Sequence, residues 1–156
     1  MTRRPAADDA GWVRLDRELY AGPLIRARVH DLDLRRRQEA APPGLRLTAT
    51  VGCWALIDTG ATHSGIDPDA IVTPLALRLH DTRSLVLAGR GRVETPVHEV
   101  AVDFPDFPLP RRIVRVSAMR LPGPFSVLVG MDLLAGTRLE LDLRGEACWL
   151  RWRPTP

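Results

Sequence analysis

The sequence predicts an all-β protein with a single domain. From about residue 22 onward, short apolar alternations are separated by Gly, Pro and Asp at intervals typical of β-barrels. No stretch has the length and periodicity of a long helix, and 156 residues are enough for one core but not for two of equal size. We place the domain at residues 22–153. Residues 1–21, with scattered Arg and Asp, form an N-terminal extension whose structure the sequence does not predict.

The first two predicted strands flank a surface loop. Residues 24–29 and residues 45–51 both alternate apolar with polar side chains, so each is expected to be a strand with one buried face. The segment between them contains three consecutive Arg and a Pro-Pro-Gly sequence. This composition indicates a loop with room for a short helical turn.

The next elements lead into and away from an aspartate. Residues 54–57 (WALI) are a continuous apolar run, typical of a strand buried on both faces, and Asp58 follows where the chain must turn. Asp67 followed by Pro68 has the pattern of a helix N-cap with proline at the first helical position. This pair predicts a short helix through Val72.

The second half of the domain is predicted to consist of further strands. They lie at residues 85–87, 97–104, 113–116 and 125–129. Residues 139–143 then alternate Leu with charged residues, and Arg144-Gly145-Glu146 turns the chain into a last strand at residues 147–152. These two strands are expected to form a hairpin.

The charge pattern gives little support for a nucleic-acid partner. The chain has 22 basic residues, all Arg, against 19 acidic ones, for a formal net charge of +3. The Arg clusters at residues 3–4 and 35–37 are short and lack interleaved aromatic residues. We attribute the basic character to the use of Arg for every cation and expect no nucleic-acid partner.

The sequence contains no recognisable membrane or export signal. No apolar run approaches the ~20 residues of a membrane span, and the first eleven residues lack the apolar stretch of a signal peptide. We therefore expect a cytoplasmic protein without a membrane partner. Cys53 and Cys148 are expected to be reduced and largely buried, with a single disulfide between them as the alternative.

Asp58-Thr59-Gly60 is the candidate catalytic motif. Two carboxyl groups that face each other across a symmetry axis at the ends of buried strands share one proton. The ionised member then acts as general base on a water, while the protonated member polarises the substrate carbonyl. Thr59 is suited to hydrogen-bond across the axis, and Gly60 lets the backbone approach the partner and the substrate.

Two blocks of sequence together resemble the retropepsin-like aspartic peptidases. They are ALIDTGAT at residues 55–62 and VLVGMDLL at residues 127–134. In that family an apolar-apolar-Asp-Thr/Ser-Gly-Ala motif is followed, after a flap hairpin, by two apolar residues, a Gly and a short helix. The resemblance covers roughly residues 24–152 and is similar at its end to bacterial single-domain and DNA-damage-inducible relatives. It implies a closed β-barrel with one or two short helices and a catalytic Asp58, Thr59 and Gly60.

The resemblance also implies a flap and a substrate cleft. Residues 87–93 look like the flap, and the glycines at its tip would supply mobility. Arginine at the tip of this flap favours an acidic peptide as the substrate. The candidate substrate-binding residues are Ala61, Gly89, Arg90, Gly91 and Gly130.

A single catalytic motif predicts a dimer. No second Asp-Thr/Ser-Gly occurs, since Asp81-Thr82 is followed by Arg83, so one chain supplies one aspartate. We predict a C2 homodimer with Asp58 of each subunit on the axis. By resemblance the terminal strand is a candidate for the interface sheet, although its Trp149 and Trp152 could equally be ordinary core.

Some residues differ from the viral pattern. Viral relatives place Arg after the second-block glycine and Asp four residues after the catalytic one, where this chain has Met131 and Thr62. The ion pair between those positions is therefore missing, and viral interface and substrate preferences do not transfer.

The expected function is that of an aspartic endopeptidase acting on a peptide or protein. The alternative from another class is a non-catalytic retropepsin-fold module for dimerisation or peptide binding. The intact motif favours the peptidase, because a buried Asp pair is costly to keep without use. His63-Ser64-Gly65 lacks the Gly-x-Ser-x-Gly of a serine hydrolase. The other His residues lack metal-ligand spacing, so we expect no metal and no cofactor.

Overall fold

The described part of the chain is mostly β-strand, which confirms the all-β prediction. The computed structural model describes residues 12–15, 22–44, 46–87, 89, 91–142 and 148–155. Strands account for 50% of the structure and helices for 14%. The helical segments are short: α1 (Leu34–Ala40), a π-helical turn (Pro68–Val72) that continues into α2 (Thr73–Leu75), and α3 (Met131–Leu134). None of the described helices is long and apolar enough to cross a membrane.

The described strands form two sheets. They are β1 (Trp12–Leu15), β2 (Leu24–Asp31), β3 (Thr50–Ile57), β4 (Gly65–Ile66), β5 (Asp81–Leu87), β6 (Gly91–Asp103), β7 (Arg112–Ala118), β8 (Val127–Val129), β9 (Thr137–Asp142) and β10 (Cys148–Pro154). The larger, mixed sheet has the order β2-β3-β8-β4-β7-β6-β5, with an additional pairing between β2 and β6. The smaller sheet has the order β1-β10-β9. The N-terminal extension therefore contributes strand β1, which pairs with the terminal strand.

Strand β6 joins two different environments. Its first half, up to Val97, pairs with β5 in a largely exposed hairpin. Its second half pairs with β7, and its last four residues also pair with β2. Nearly all side chains in that second half are buried. The hairpin thus extends from a strand that is anchored in the core.

A cluster of charged side chains lies where β2 meets β6. Asp103, the last residue of β6, is 8% exposed and accepts a hydrogen bond from Arg28 Nε of β2 at 2.7 Å. His30 Nε2, also on β2, lies 2.7 Å from Asp103 Oδ2, and its Nδ1 lies 2.8 Å from Thr50 Oγ1 of β3. Arg111 Nη2 lies 3.4 Å from the same carboxylate. We name this group the Asp103 cluster; it links three strands through their side chains.

Trp152 is a core residue. It is 1% exposed, its ring centroid lies 4.6 Å from that of Phe104 and 5.8 Å from that of Phe107, and its Nε1 donates to Thr137 Oγ1 at 2.7 Å. The smaller sheet is therefore packed on the same core as the larger one. Of the two readings of this tryptophan, interface or core, the structure shows packing in the core. Trp149 is half-buried.

Two details of the third strand differ from the sequence prediction. Most of the predicted strand at residues 45–51 is not a strand: residues 46–49 lie outside any strand, and only Thr50 and Val51 join the apolar run at residues 54–57 in β3. The prediction that this run is buried on both faces was wrong, because Trp54 is 44% exposed while Ala55 and Ile57 point into the core. The strand alternates as a half-buried strand does, with one outward-facing tryptophan.

The other predicted elements agree with the structure. The helical turn begins after Asp67, whose Oδ1 accepts from the amides of Asp69 and Ala70 at 3.0 and 3.1 Å. The hairpin at the end of the chain is present as β9 and β10, and its predicted turn lies outside the described residues. The loop before β3 contains α1, the anticipated helical turn.

Candidate active site

The two sequence blocks that predict the active site lie side by side. Strands β3 and β8 are parallel neighbours, with Leu56 opposite Leu128 and Ile57 opposite Val129. The Asp58 amide then donates to Val129 O at 3.0 Å. Because parallel strands end at the same edge of a sheet, the loop after β3 and the glycine after β8 meet there.

The Asp58 carboxyl group is half-buried and carries no ion pair within the described residues. Its Oδ1 accepts a hydrogen bond from the Gly60 amide at 2.9 Å, and its carbonyl accepts one from the Ala61 amide at 3.2 Å. These bonds set the turn of the motif.

An apolar pocket adjoins Asp58. It has a volume of ≈470 Å³, and Asp58 is its only carboxylate among the described lining residues. Its apolar walls come from β3, β8, the end of β5 and the loop before β8: Leu56, Leu87, Met119, Leu121, Pro122, Phe125 and Leu128. The end of the β5–β6 hairpin therefore reaches the candidate site. Asp58 and Arg120 are the charged residues among its described lining, and the remaining walls are apolar, which suits an apolar side chain.

Gly130 is buried against the loop that carries Asp58. A Cβ atom at this position would lie 2.7 Å from the His63 carbonyl carbon, 2.8 Å from its oxygen and 2.9 Å from the Ala61 oxygen. All three are backbone atoms, so no side-chain rotation could make room. A residue without a Cβ is therefore required here. Gly130, the predicted glycine of the second block, packs directly against the backbone of the Asp58 loop.

A hydrogen-bond network that the sequence analysis missed fixes the same loop. Asp132, in the first turn of α3, accepts from the Ser64 amide at 3.0 Å and from Ser64 Oγ at 2.5 Å. Ser64 Oγ in turn accepts from the Gly130 amide at 2.9 Å, and the Met131 amide donates to Ala61 O at 2.8 Å. We call the contacts among Ser64, Gly130 and Asp132 the bracing network. Its signal in the sequence was the Gly-x-Asp of the second block.

The remaining predicted site residues lie around this centre. Thr59 and Gly60 are exposed at the tip of the turn, and Ala61 is half-buried. Gly89 and Gly91 lie at the β5–β6 turn with φ of 73° and 70°, which are left-handed conformations that favour glycine. Arg90 lies outside the described residues.

A second pocket separates the Asp58 loop from the hairpin. Its volume is ≈510 Å³, and residues 60–63, residues 83–87, Met119 and Leu128 line it. It shares Leu87, Met119 and Leu128 with the pocket at Asp58, so the two are adjacent. Together they form a cleft between the loop and the hairpin, and we refer to them as the Asp58 pocket and the hairpin pocket.

The described residues show no three His, Cys, Asp or Glu side chains grouped to hold a metal ion. Cys53 is a free, half-buried thiol on β3, and burial raises its pKa to about 11. Such a thiol is a poor nucleophile at neutral pH. The side chain of Cys148 lies outside the described residues.

Comparison with known proteins does not assign a family: no protein-family model matches the sequence, and no curated protein matches it.

Proposed function

We propose that the chain is an aspartic endopeptidase that works as a C2 homodimer, with Asp58 from each subunit forming the catalytic pair. The observation that carries the proposal is the Asp58 carboxyl group. It stands at the end of β3, is half-buried, has no ion pair among the described residues, and opens onto an apolar pocket. A partly exposed carboxyl group beside an apolar pocket is placed to act on a bound peptide as general base or acid.

The proposed mechanism uses one ionised and one protonated Asp58. The ionised carboxyl removes a proton from a water molecule held between the two, and the oxygen attacks the peptide carbonyl carbon. The protonated carboxyl donates to the carbonyl oxygen, and a proton then passes to the leaving nitrogen as the C–N bond breaks. The pair titrates as a unit, so activity requires a pH at which only one proton is shared.

The strand pairings support the retropepsin-like barrel that the mechanism assumes. Pairings run from β2 through β3, β8, β4 and β7 to β6, and β6 pairs back to β2 with Val29 opposite Val102. We interpret this circuit as a closed barrel, from which the β5–β6 hairpin extends as the flap. Hairpins of this kind cover bound substrates and exclude water.

The exposure of the motif supports the dimer. Thr59 and Gly60 are exposed in the single chain, although they adjoin the candidate catalytic group. Neither the Asp58 pocket nor the hairpin pocket contains a second carboxylate among its described lining residues. A second copy placed across Thr59 and Gly60 would supply that carboxylate by symmetry.

The test is cleavage of casein between roughly pH 3 and 8, where a carboxyl pair titrates, by the wild type and by Asp58→Asn. The proposal predicts cleavage by the wild type alone, with an optimum on the acid side and inhibition by a statine-type compound. Equal cleavage by both proteins would contradict it. A folded wild-type dimer that binds unfolded casein without cutting it would favour the non-catalytic peptide-binding module.

A further inference from the structure

Arg83 stands out in the row of β5 residues that faces the cleft. Along β5 the half-buried residues are Arg83, Leu85 and Leu87, and the residues between them are exposed. All three line the hairpin pocket. Arg83 therefore lies on the same face of β5 as Leu85 and Leu87, where a charged side chain is unusual.

The Arg83 side chain lacks the partner that a buried guanidinium needs. Its Nη1 is closed off from solvent and has no hydrogen-bond partner anywhere in the described ranges. Other partly buried arginines are satisfied: Arg112 Nη1 donates to Leu133 O at 3.1 Å and to Ala135 O at 2.8 Å. A buried, charged donor without an acceptor costs more than an ordinary unmade hydrogen bond. The fold therefore keeps this group at a cost in stability.

The hairpin pocket has no negative charge of its own to meet Arg83. Its described walls are small, apolar or hydroxyl side chains together with His63, and none of them is a carboxylate. His63 Nδ1 lies 3.8 Å from Asp132 Oδ2, and that carboxylate already accepts three hydrogen bonds through the bracing network and the Leu133 amide. The electrostatic character of the pocket is thus positive, and it suits an anionic ligand.

We infer that Arg83 binds an acidic side chain of the peptide substrate in the hairpin pocket, with the hairpin shifting as the peptide enters so that Nη1, covered in the free chain, reaches the carboxylate. This inference rests on the proposed function, because it places a peptide in the cleft. A Glu or Asp carboxylate gives guanidinium two parallel charge-assisted hydrogen bonds, a geometry that Gln or Asn cannot match. Since the hairpin pocket adjoins the Asp58 pocket, the acidic residue lies within a few positions of the bond that is cut.

A different reading of Arg83 makes an opposite prediction. β5 is an edge strand of the larger sheet, and inward-pointing charges protect such edges from pairing with other molecules. In that case Arg83 would limit aggregation and would have no part in peptide selection. The two readings differ in what Arg83→Gln changes: peptide preference in the first, self-association in the second.

The experiment uses fluorescein-labelled octapeptides in matched pairs that differ only by Glu or Gln at one position. Binding to the full-length Asp58→Asn protein is measured by anisotropy, and cleavage by the wild type is measured in parallel. We expect the Glu peptide to bind about tenfold more tightly at one position. Adding Arg83→Gln should abolish this difference, and Arg83→Glu should shift it toward Lys. Arg115→Gln, an exposed arginine on β7 that lines neither pocket, is the matched control and should preserve the preference.

Several results would overturn the inference. They are equal affinity for Glu and Gln at every position, a preference that survives Arg83→Gln, aggregation of Arg83→Gln with its preference intact, or no peptide binding at all. A marked fall in the melting temperature of Arg83→Gln would also count against it, since removal of an unpaired buried donor should leave stability equal or higher. If the protein binds Glu peptides more tightly than Gln peptides through Arg83 but cleaves neither, the inference about Arg83 stands and the proposed peptidase activity is refuted. If the protein cleaves peptides without preferring an acidic residue, the peptidase activity stands and the inference about Arg83 is refuted.

Discussion

Asp58 and Asp103 occupy similar places in the sequence and different surroundings in the structure. Each follows apolar residues of a core strand, β3 for Asp58 and β6 for Asp103. Asp103 lies within hydrogen-bonding or ion-pair distance of Arg28, His30 and Arg111. Asp58 has only the Gly60 amide as a described partner for its side chain. The role of an aspartate at the end of a core strand therefore depends on the side chains and backbone groups that surround it.

The two aspartates have different hydrogen-bond and ion-pair partners, which gives Asp103 a structural role and suits Asp58 to the proposed reaction. Burial by itself would raise the pKa of Asp103, but hydrogen bonds from Arg28 and His30 outweigh it and hold that pKa below the ordinary value. Asp103 is thus kept ionised and links β2 to β6. The Asp58 carboxyl carries no such cation among the described residues, and in the proposed reaction it acts as general base or acid.

The largest expected effect comes from filling the space beneath the Asp58 loop. Gly130→Ala would place a Cβ against the backbone of His63 and Ala61, and we expect it to destabilise the protein by about 3 kcal/mol and to abolish activity. Gly52→Ala is the matched control, because a Cβ there has no neighbour within 4 Å. Urea unfolding of both variants measures the difference. Equal stabilities would show that the loop is free to move away from β8.

Removing the charge of Asp103 should produce the next largest effect. Asp103→Asn leaves Arg28 and His30 without their acceptor, and we expect a loss of about 2 kcal/mol at pH 7. Since the folded pKa of Asp103 is depressed, its contribution is present above the ordinary aspartate pKa of about 3.9 and disappears as pH falls through the folded value. The difference in unfolding free energy between variant and wild type should therefore shrink as pH falls below the ordinary aspartate pKa. A difference in unfolding free energy that stays constant with pH would contradict this account.

Weakening the bracing network should have a smaller effect. Asp132→Asn replaces one acceptor oxygen with a donor that faces Ser64, and we expect a loss of about 1–2 kcal/mol together with reduced turnover. Asp69→Asn is the control, because Asp69 also lies in a first helical turn but is exposed, and its side chain pairs with Arg120 alone among the described residues. Thermal melts and casein cleavage compare the two. A stronger effect at Asp69 would refute the assignment of the bracing role to Asp132.

The smallest expected change in stability is at Asp58 itself. In Asp58→Asn the side-chain oxygen can still accept from the Gly60 amide, so the free energy of unfolding should change by less than about 0.5 kcal/mol while activity is lost. Asp103→Asn should behave in the opposite way, with lower stability and retained activity at temperatures where it is folded. Unfolding and activity measured on both variants test the contrast. A loss of stability at Asp58 as large as at Asp103 would remove the distinction.

The sequence predicted the strand class and several elements because these depend on local patterns. Apolar patterns identified most of the strands, although not β1 or β4, and the Asp67-Pro68 pair identified where the π-helical turn begins. The resemblance predicted that the Asp58 motif and Gly130 belong to one site, and the parallel pairing of β3 with β8 places them together. The closed barrel, the catalysis and the dimer stay predictions.

The features that the sequence did not predict depend on residues far apart in the chain. Asp132 and Ser64 are 68 positions apart, and Asp103 and Arg28 are 75 apart, so neither pair leaves a local pattern. The outward position of Trp54 was missed because an apolar run does not reveal which of its side chains face the core. The unpartnered state of Arg83 likewise becomes visible only when its surroundings are known.

Mixing wild type with Asp58→Asn tests the central claim most directly. The two proteins are mixed, allowed to exchange subunits, and assayed for peptide cleavage at constant total concentration. If each active site needs Asp58 from both subunits, total activity falls with the square of the wild-type fraction, to about one quarter in an equal mixture. A linear fall, to about one half, would show that each chain acts alone and would contradict the shared catalytic pair.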